Sequence, residues 1–385
     1  MMELFRPLDD ATIRDPHPMY HHLRSADPVH WYEPLNAWVI SGYEDCLLAL
    51  RRTEIFSSDL RAAGIDVPDN LLSIQTLNPP EHGNVHRVLM DAYRRQDFSA
   101  IRARLEDRAD QLLRGLSGRS RFELVTDFTA PLAFAAVADL FGVPDADEKN
   151  IVAWSEAIVA AMDSGLTPEA AAPGTLARDN LSAVISSWLD QKPQNGLLGN
   201  LLRAESASAI SRDMVLNTLR ATLHAGYAPT SRFVAASVLS LLRTPDKWQE
   251  LLTAGVSETA TKELLRHSGP VQAVARVCAS DYELGGRLLR RGSDVIVLIA
   301  AANRDPRQFP NPDELDLKRS PNHNLGFGWG AHACAGASLA RLTCAVALTA
   351  LLRHAPDLQL AGEPVHWRHA TLRGLQKLPV SGMPV

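Results

Sequence analysis

The residues best suited to chemistry cluster late in the chain, in Phe327-Gly328-Trp329-Gly330-Ala331-His332-Ala333-Cys334-Ala335-Gly336. The glycines ahead of the cysteine allow a tight turn that side chains resist. Cys334 follows, just before Ala337-Ser338-Leu339-Ala340-Arg341 and an apolar helical run. A helix N-terminus offers unpaired N–H groups and the positive end of a dipole, and both favour a thiolate over a thiol. A thiolate held this way is a soft metal ligand. The plain alternative is a buried, inert cysteine. That is the role we assign to Cys46, Cys278 and Cys344, which show no paired spacing.

Two further groupings carry polar chemistry. Glu263-Leu264-Leu265-Arg266 places an acid and a base at i and i+3 on one helix face, where they can pair. The second, Ala225-Gly226-Tyr227-Ala228-Pro229-Thr230-Ser231, lies inside a long apolar pattern from Leu216 to Leu242. Pro229 has no N–H for the Ala225 carbonyl, which predicts a helix kinked and interrupted there. His224 shares a face with Ala228 and has an ordinary pKa near neutrality.

The elements that position these residues are mostly helical. Helices are predicted from His17 to Ala26, Tyr43 to Arg52, Asp127 to Phe141, Ile151 to Met162 and Ser257 to His267, and from Pro245, capped by Thr244. Strands are predicted at Val29 to Tyr32, Ala37 to Ser41, Val271 to Val277, Tyr282 to Leu284, Leu288-Leu289 and Val295 to Ile299. Ser57 to Asn78 reads as a long irregular segment with scattered apolar residues, of the kind that covers sites. Gly165 to Gly174 reads as a mobile connection. Helix returns from Gly336 to His354. The expected fold class is mainly α with a small β region built from both chain ends, in a single large domain over residues 1–385.

Composition narrows the function. Of 385 residues, 46% are apolar, enough for a large core, and the net charge of −5 argues against non-specific nucleic-acid binding. The opening Met1-Met2-Glu3-Leu4-Phe5-Arg6-Pro7 has no apolar run, and no segment approaches the length of a membrane span. A cytoplasmic protein with a small-molecule substrate, no nucleic acid and no membrane is expected.

The cysteine stretch resembles the ligand loop of the cytochrome P-450 (haem-thiolate) family, Phe-Gly-x-Gly-x-His-x-Cys-x-Gly, at every fixed position. The resemblance covers nearly the full length and implies a b-type haem (iron protoporphyrin IX) with Cys334 as the axial thiolate. It implies that Phe327 shields the sulfur and that Gly336 belongs to the cofactor site. Propionates are anions, and the resemblance assigns them to His332, Arg276 and His82, with His86 one turn on. The family's His-x-x-x-Arg pattern is displaced here, because arginine falls at Arg87. Glu263 and Arg266 match the family's structural pair. Glu314 stands where a third partner, an arginine, is expected, and Arg319 is the candidate substitute.

The departure at the oxygen-activating helix is larger. The family pattern Ala-Gly-x-Asp/Glu-Thr-Thr/Ser supplies an acid and an alcohol that relay protons. Here those positions are Ala228 and Pro229, and neither moves a proton. Ala225 and Gly226 are expected to leave room for dioxygen and substrate. Thr230, Tyr227, His224 or the substrate itself are open as replacements. The implied function is oxidation of a small organic molecule, a secondary-metabolite intermediate by family class. Dioxygen would be the oxidant, and the electrons would come from a ferredoxin docking near Arg94, Arg95 and Arg341 and fed by an NAD(P)H-driven ferredoxin reductase. The alternatives are a peroxide-driven or coupling catalyst on the same scaffold, and a non-catalytic ligand- or carrier-binding relative. The expected pocket walls are Arg61 to Leu77, the face with Thr222, Ala225 and Ala228, Val271 to Val274, and Leu372 to Leu375.

Overall fold

The computed structural model describes residues 4–205 and 210–382. Met1 to Glu3, part of the stretch read above for a leader, lie outside the described residues. Helices dominate, as expected, and the strands gather into small sheets. Val29–Tyr32 and Ala37–Ile40 form a hairpin with Val29 opposite Ile40, turning through Asn36 at φ 47°. Ala37–Ile40 then runs parallel to Asp294–Val297, which pairs antiparallel with Val274–Cys278. Phe56–Ser57 completes this five-stranded sheet. The N-terminal strands thus share one sheet with strands from residues 274–297, not with the C-terminal end of the chain.

The helix Arg212–Arg243 runs through the main core for 32 residues, about 48 Å at the standard rise. Ser211 caps it, accepting the Met214 N–H at 3.2 Å. The interruption expected at Ala225 to Ser231 does not occur, and Pro229 is accommodated inside the helix. An interior proline costs about 3 kcal/mol. Burial of Leu223, Tyr227, Phe233, Val234 and Val238 on either side holds the segment helical despite that cost.

Two other expectations are corrected. The connection from Gly165 to Gly174 is largely ordered, with a short turn Pro168–Ala170 followed at once by the helix Ala171–Asp190. A Cβ on Gly174 would fall 2.1 Å from Cβ of Ala161, so glycine lets this helix cross Glu148–Met162 closely. Proline at Pro173 sits in the first helical turn, where its missing N–H costs little. Thr244 does not cap Pro245–Ala254, because its hydroxyl donates to the Ser240 carbonyl at 2.8 Å instead.

Buried histidines make stability depend on pH. Burial holds His267 down at about 3 and His224 at about 4, against an ordinary 6.5, so both are neutral in the folded protein at pH 7. Their contribution is present above pH 6.5 and is lost as pH falls towards those folded values. The thermal unfolding midpoint is therefore expected to drop between pH 6.5 and 4. A midpoint that stays level over that window contradicts this.

Candidate active site

The cysteine loop owes its shape to glycine. Gly328 and Gly330 sit at φ 68° and 73°, a region side chains avoid, and a Cβ on Gly330 would approach the Leu50 carbonyl to 2.8 Å. The turn lets the Cys334 N–H donate to the Phe327 carbonyl at 2.8 Å. Ala337–His354 begins three residues later. The Gly336 amide lies beside the sulfur and favours its thiolate form. Burial raises the Cys334 thiol above its ordinary pKa, while this amide and Arg341 pull the other way. The Arg341 guanidinium lies 5.6 Å from the Phe327 ring centre. Cys334 is nonetheless open to space and lines a cavity of about 370 Å³ with Leu265, Phe327, Trp329 and Arg341.

Behind the loop, Glu263 and Arg266 pair through two contacts of 2.7 and 2.8 Å, both fully buried. The third partner is Arg319, whose Nε donates to Glu263 at 3.1 Å. Glu314 contributes through its main chain, its carbonyl accepting from Arg266 at 3.1 Å. Sequence reasoning missed Asn322, which donates to Glu263 at 2.9 Å. Glu263 also accepts the Asp316 N–H at 3.1 Å. These contacts bind the segment ahead of the loop to the helix Glu258–Ser268.

Three histidines and an arginine gather beside the loop. The His82 and His332 ring centres are 4.5 Å apart, and His86 stacks on His82 at 5.3 Å. His332 Nε2 lies 3.2 Å from Oδ1 of Asn78, another residue that no spacing pattern marks. Burial, then Arg276, drives His332 down to about 3. Burial alone brings Arg276 down to about 10. Its Nη1 donates only to the Ala275 carbonyl, and its Nε is buried without a partner. Among the described residues no ion pair reaches Arg276, and no group of three or more His, Cys, Asp or Glu could hold a metal ion. A buried guanidinium without a counter-charge fits an anionic ligand.

The helix Arg212–Arg243 brings Ala228 and Thr230 into buried positions and leaves His224, Ala225 and Pro229 half-buried. The room expected beside Gly226 is a correction. A Cβ there would meet Val137 at 2.9 Å, so this glycine serves close packing against Ala130–Phe141. Tyr227 turns to the same side, with Phe134 against its ring. Two of the expected walls meet at the Val271 to Leu372 bridge, and the segment Ser57 to Asn78 is fastened by Asn217 donating to the Asp69 carbonyl.

Comparison with known proteins agrees with this geometry. The model of the family described as cytochrome P-450 matches residues 256–355. The polyketide biosynthesis cytochrome P-450 PksS of Bacillus subtilis (strain 168) is 30% identical over 98% of both chains. The nocardicin C N-oxygenase of Nocardia uniformis subsp. tsuyamanensis is 30% identical over 97% of this chain and 98% of its own. The chain belongs to the cytochrome P-450 family. The ligand-free crystal structure of CYP164A2 from Mycobacterium smegmatis superposes at a TM-score of 0.89 with 31% identity, over 97% of this chain and 98% of that one. The fold is therefore the single-domain P-450 fold, and the protein is a P-450 oxidoreductase of the monooxygenase class.

The residues present fit the family's haem. Gly336 lies at φ −88°, which any residue adopts, so its backbone does not call for glycine. A Cβ there would meet only the Cys334 sulfur, at 3.9 Å. The glycine thus keeps open the space next to the sulfur that a flat macrocycle needs. The orphaned Arg276 offsets the charge of a propionate, and the His82, His86 and His332 rings offer it neutral N–H donors. Among the described residues, no helix is long and apolar enough to cross a membrane.

Proposed function

We propose that residues 1–385 act as one haem-thiolate monooxygenase domain, holding a b-type haem and oxidising a small organic molecule with dioxygen and two electrons. The observation that carries this is the Cys334 sulfur, exposed in the glycine-shaped loop and opening on space that a Cβ at Gly336 would fill. Bound there, haem would supply dioxygen activation, favoured by electron donation from sulfur. The protein's own groups hold and shield it. Phe327 covers the sulfur, while Arg276, His332, His82 and His86 receive the propionates. Ala225, with a small side chain, lines the substrate side. Thr230 and His224 are the groups nearest the sites of the missing acid and alcohol that can hold water or a substrate hydroxyl. The polyketide-pathway relative supports a secondary-metabolite substrate. Arg94 and Arg95, at the end of the helix Glu81–Arg94, and Arg341, on the helix Ala337–His354 that Tyr93 meets at Ser338 across 3.3 Å, fit docking of a ferredoxin fed by an NAD(P)H-driven reductase in the cytoplasm. The test is the spectrum of the reduced, carbon monoxide-treated protein. The shifted Soret band of thiolate-ligated haem is expected, and its absence removes the reading.

A second reading, peroxide-driven or coupling chemistry, is favoured by Ala228 and Pro229. Neither side chain can carry a proton, and the Ala225 carbonyl lacks its helical N–H donor. Ala228→Asp combined with Pro229→Thr is expected to raise ferredoxin-driven turnover about 100-fold, the low end of what a placed proton donor contributes, and to improve coupling. Unchanged rate and coupling would show that these positions do not shape the reaction.

A further inference from the structure

A ridge of the helix Arg212–Arg243 carries Arg220, His224, Ala228 and Arg232 at four-residue spacing, so the four lie along one face. Arg232 has a carboxylate, Glu156. Arg220 has none. Its Nη1 donates to the Ser182 hydroxyl at 3.0 Å and its Nη2 to the Asn70 carbonyl at 2.7 Å, both neutral acceptors. A guanidinium carries five N–H groups, so donors remain. Burial lowers the Arg220 pKa, Arg178 lowers it further, and only the exposed Asp179 opposes them. Arg178 donates from Nη2 to the Thr175 hydroxyl at 3.1 Å. Among the described residues neither guanidinium makes an ion pair, and the exposed Asp179 is the acid that acts on Arg220 at this junction of three elements. One turn on, His224 is held neutral by burial and by Arg232 and Arg178, with Nδ1 buried and unpartnered. Beyond Asn70, the buried Leu72, Leu77 and Val85, with Val67, Ile74 and Met214, form an apolar wall.

We propose that Arg220, supported by Arg178, receives the carboxylate of an amphiphilic acid whose apolar body lies along this wall. The inference deepens the monooxygenase reading and rests on it. A carboxylate accepts charge-assisted bonds from guanidinium that a neutral head group cannot match. It suits a site with one apolar flank and its cations gathered at one end. The placement also sets the position of attack. Ala225 lies about 7 Å and Pro229 about 14 Å along the helix axis from Arg220. The oxidised carbon is therefore well inside the chain, away from the carboxyl end.

The test uses the full-length, haem-loaded protein with dodecanoic acid and dodecan-1-ol as probes. Isothermal calorimetry and the Soret shift are read in parallel. The wild-type protein is expected to bind the acid about tenfold more tightly than the alcohol, a difference of about 1.4 kcal/mol. Arg220→Met removes the preference and leaves alcohol binding in place, while Arg220→Lys restores part of it. If Arg220→Met loses the alcohol too, through release of Asn70 and Ser182, Arg178→Gln decides, because it spares those bonds. A reduced acid preference in Arg178→Gln supports the proposal, and an unchanged one overturns it. Equal affinity for acid and alcohol in the wild-type protein, or no binding of the acid, also overturns it. Calorimetry reads the preference independently of the iron. Failure of the thiolate band would sink the haem reading, whereas failure of the preference alone sinks only this proposal.

Discussion

Cys334→Ala protein shows no thiolate Soret band with carbon monoxide and loses turnover by more than the roughly 10–100-fold that removal of an outer-shell partner costs. The sulfur is not what folds the loop. The bonds that shape it, Cys334 N–H to Phe327 and the turns at Gly328 and Gly330, use only main chain at position 334. Alanine preserves them, so the loop is expected to keep its form and lose only the sulfur. The check is a paired measurement of absorbance and circular dichroism on the same sample. A variant that keeps the band identifies another ligand. One that loses helix as well as the band assigns the cysteine a role in folding.

The second large effect is structural. Glu263→Ala removes the carboxylate that meets Arg266, Arg319, Asn322 and the Asp316 N–H. Two buried guanidiniums are then left without their acid. Breaking a buried pair this way costs about 3–5 kcal/mol, a large share of the roughly 5–15 kcal/mol that keeps a domain folded. The variant is expected to fail to fold, or to melt far below the wild type. Arg319→Met is milder, because Arg266 keeps both contacts to Glu263. Its effect is expected at the lower end of the same range, read as a shift in the denaturant midpoint. If Arg319→Met leaves that midpoint unmoved, Arg319 is not the third member that the sequence lacks at Glu314.

These two sites mark what a sequence reveals. The cysteine loop was legible because six fixed residue types in a short window are dictated by local geometry, through turns at Gly328 and Gly330 and a helix start. The pair Glu263 and Arg266 was legible for the same reason, one helical turn. Arg319 was visible only as a candidate, since its meeting with Glu263 is set by an irregular segment whose path no periodicity encodes. Asn78 and Asn322 gave no signal, because a side-chain amide bonding across the fold has no spacing rule. The helix through Pro229 was misread locally for a physical reason. Proline is costly in an isolated helix, and the neighbours that outweigh that cost come from distant parts of the chain. Gly226 was read as room for ligand when its hydrogen faces Val137, a contact that only the crossing of two helices creates.

The contact between His332 and Asn78 spans 254 residues. On a ribosome adding 5–20 residues per second, that separation is roughly 13–50 s of synthesis. His82 therefore waits, already made and without its partner ring, until almost the whole polypeptide has emerged. The same holds for Ala37–Ile40, whose parallel neighbour Asp294–Val297 arrives late. Cofactor capture is accordingly one of the last events in the life of a new molecule. A nascent chain stalled short of the cysteine loop would expose an unfinished cradle to the quality-control machinery and never reach catalysis.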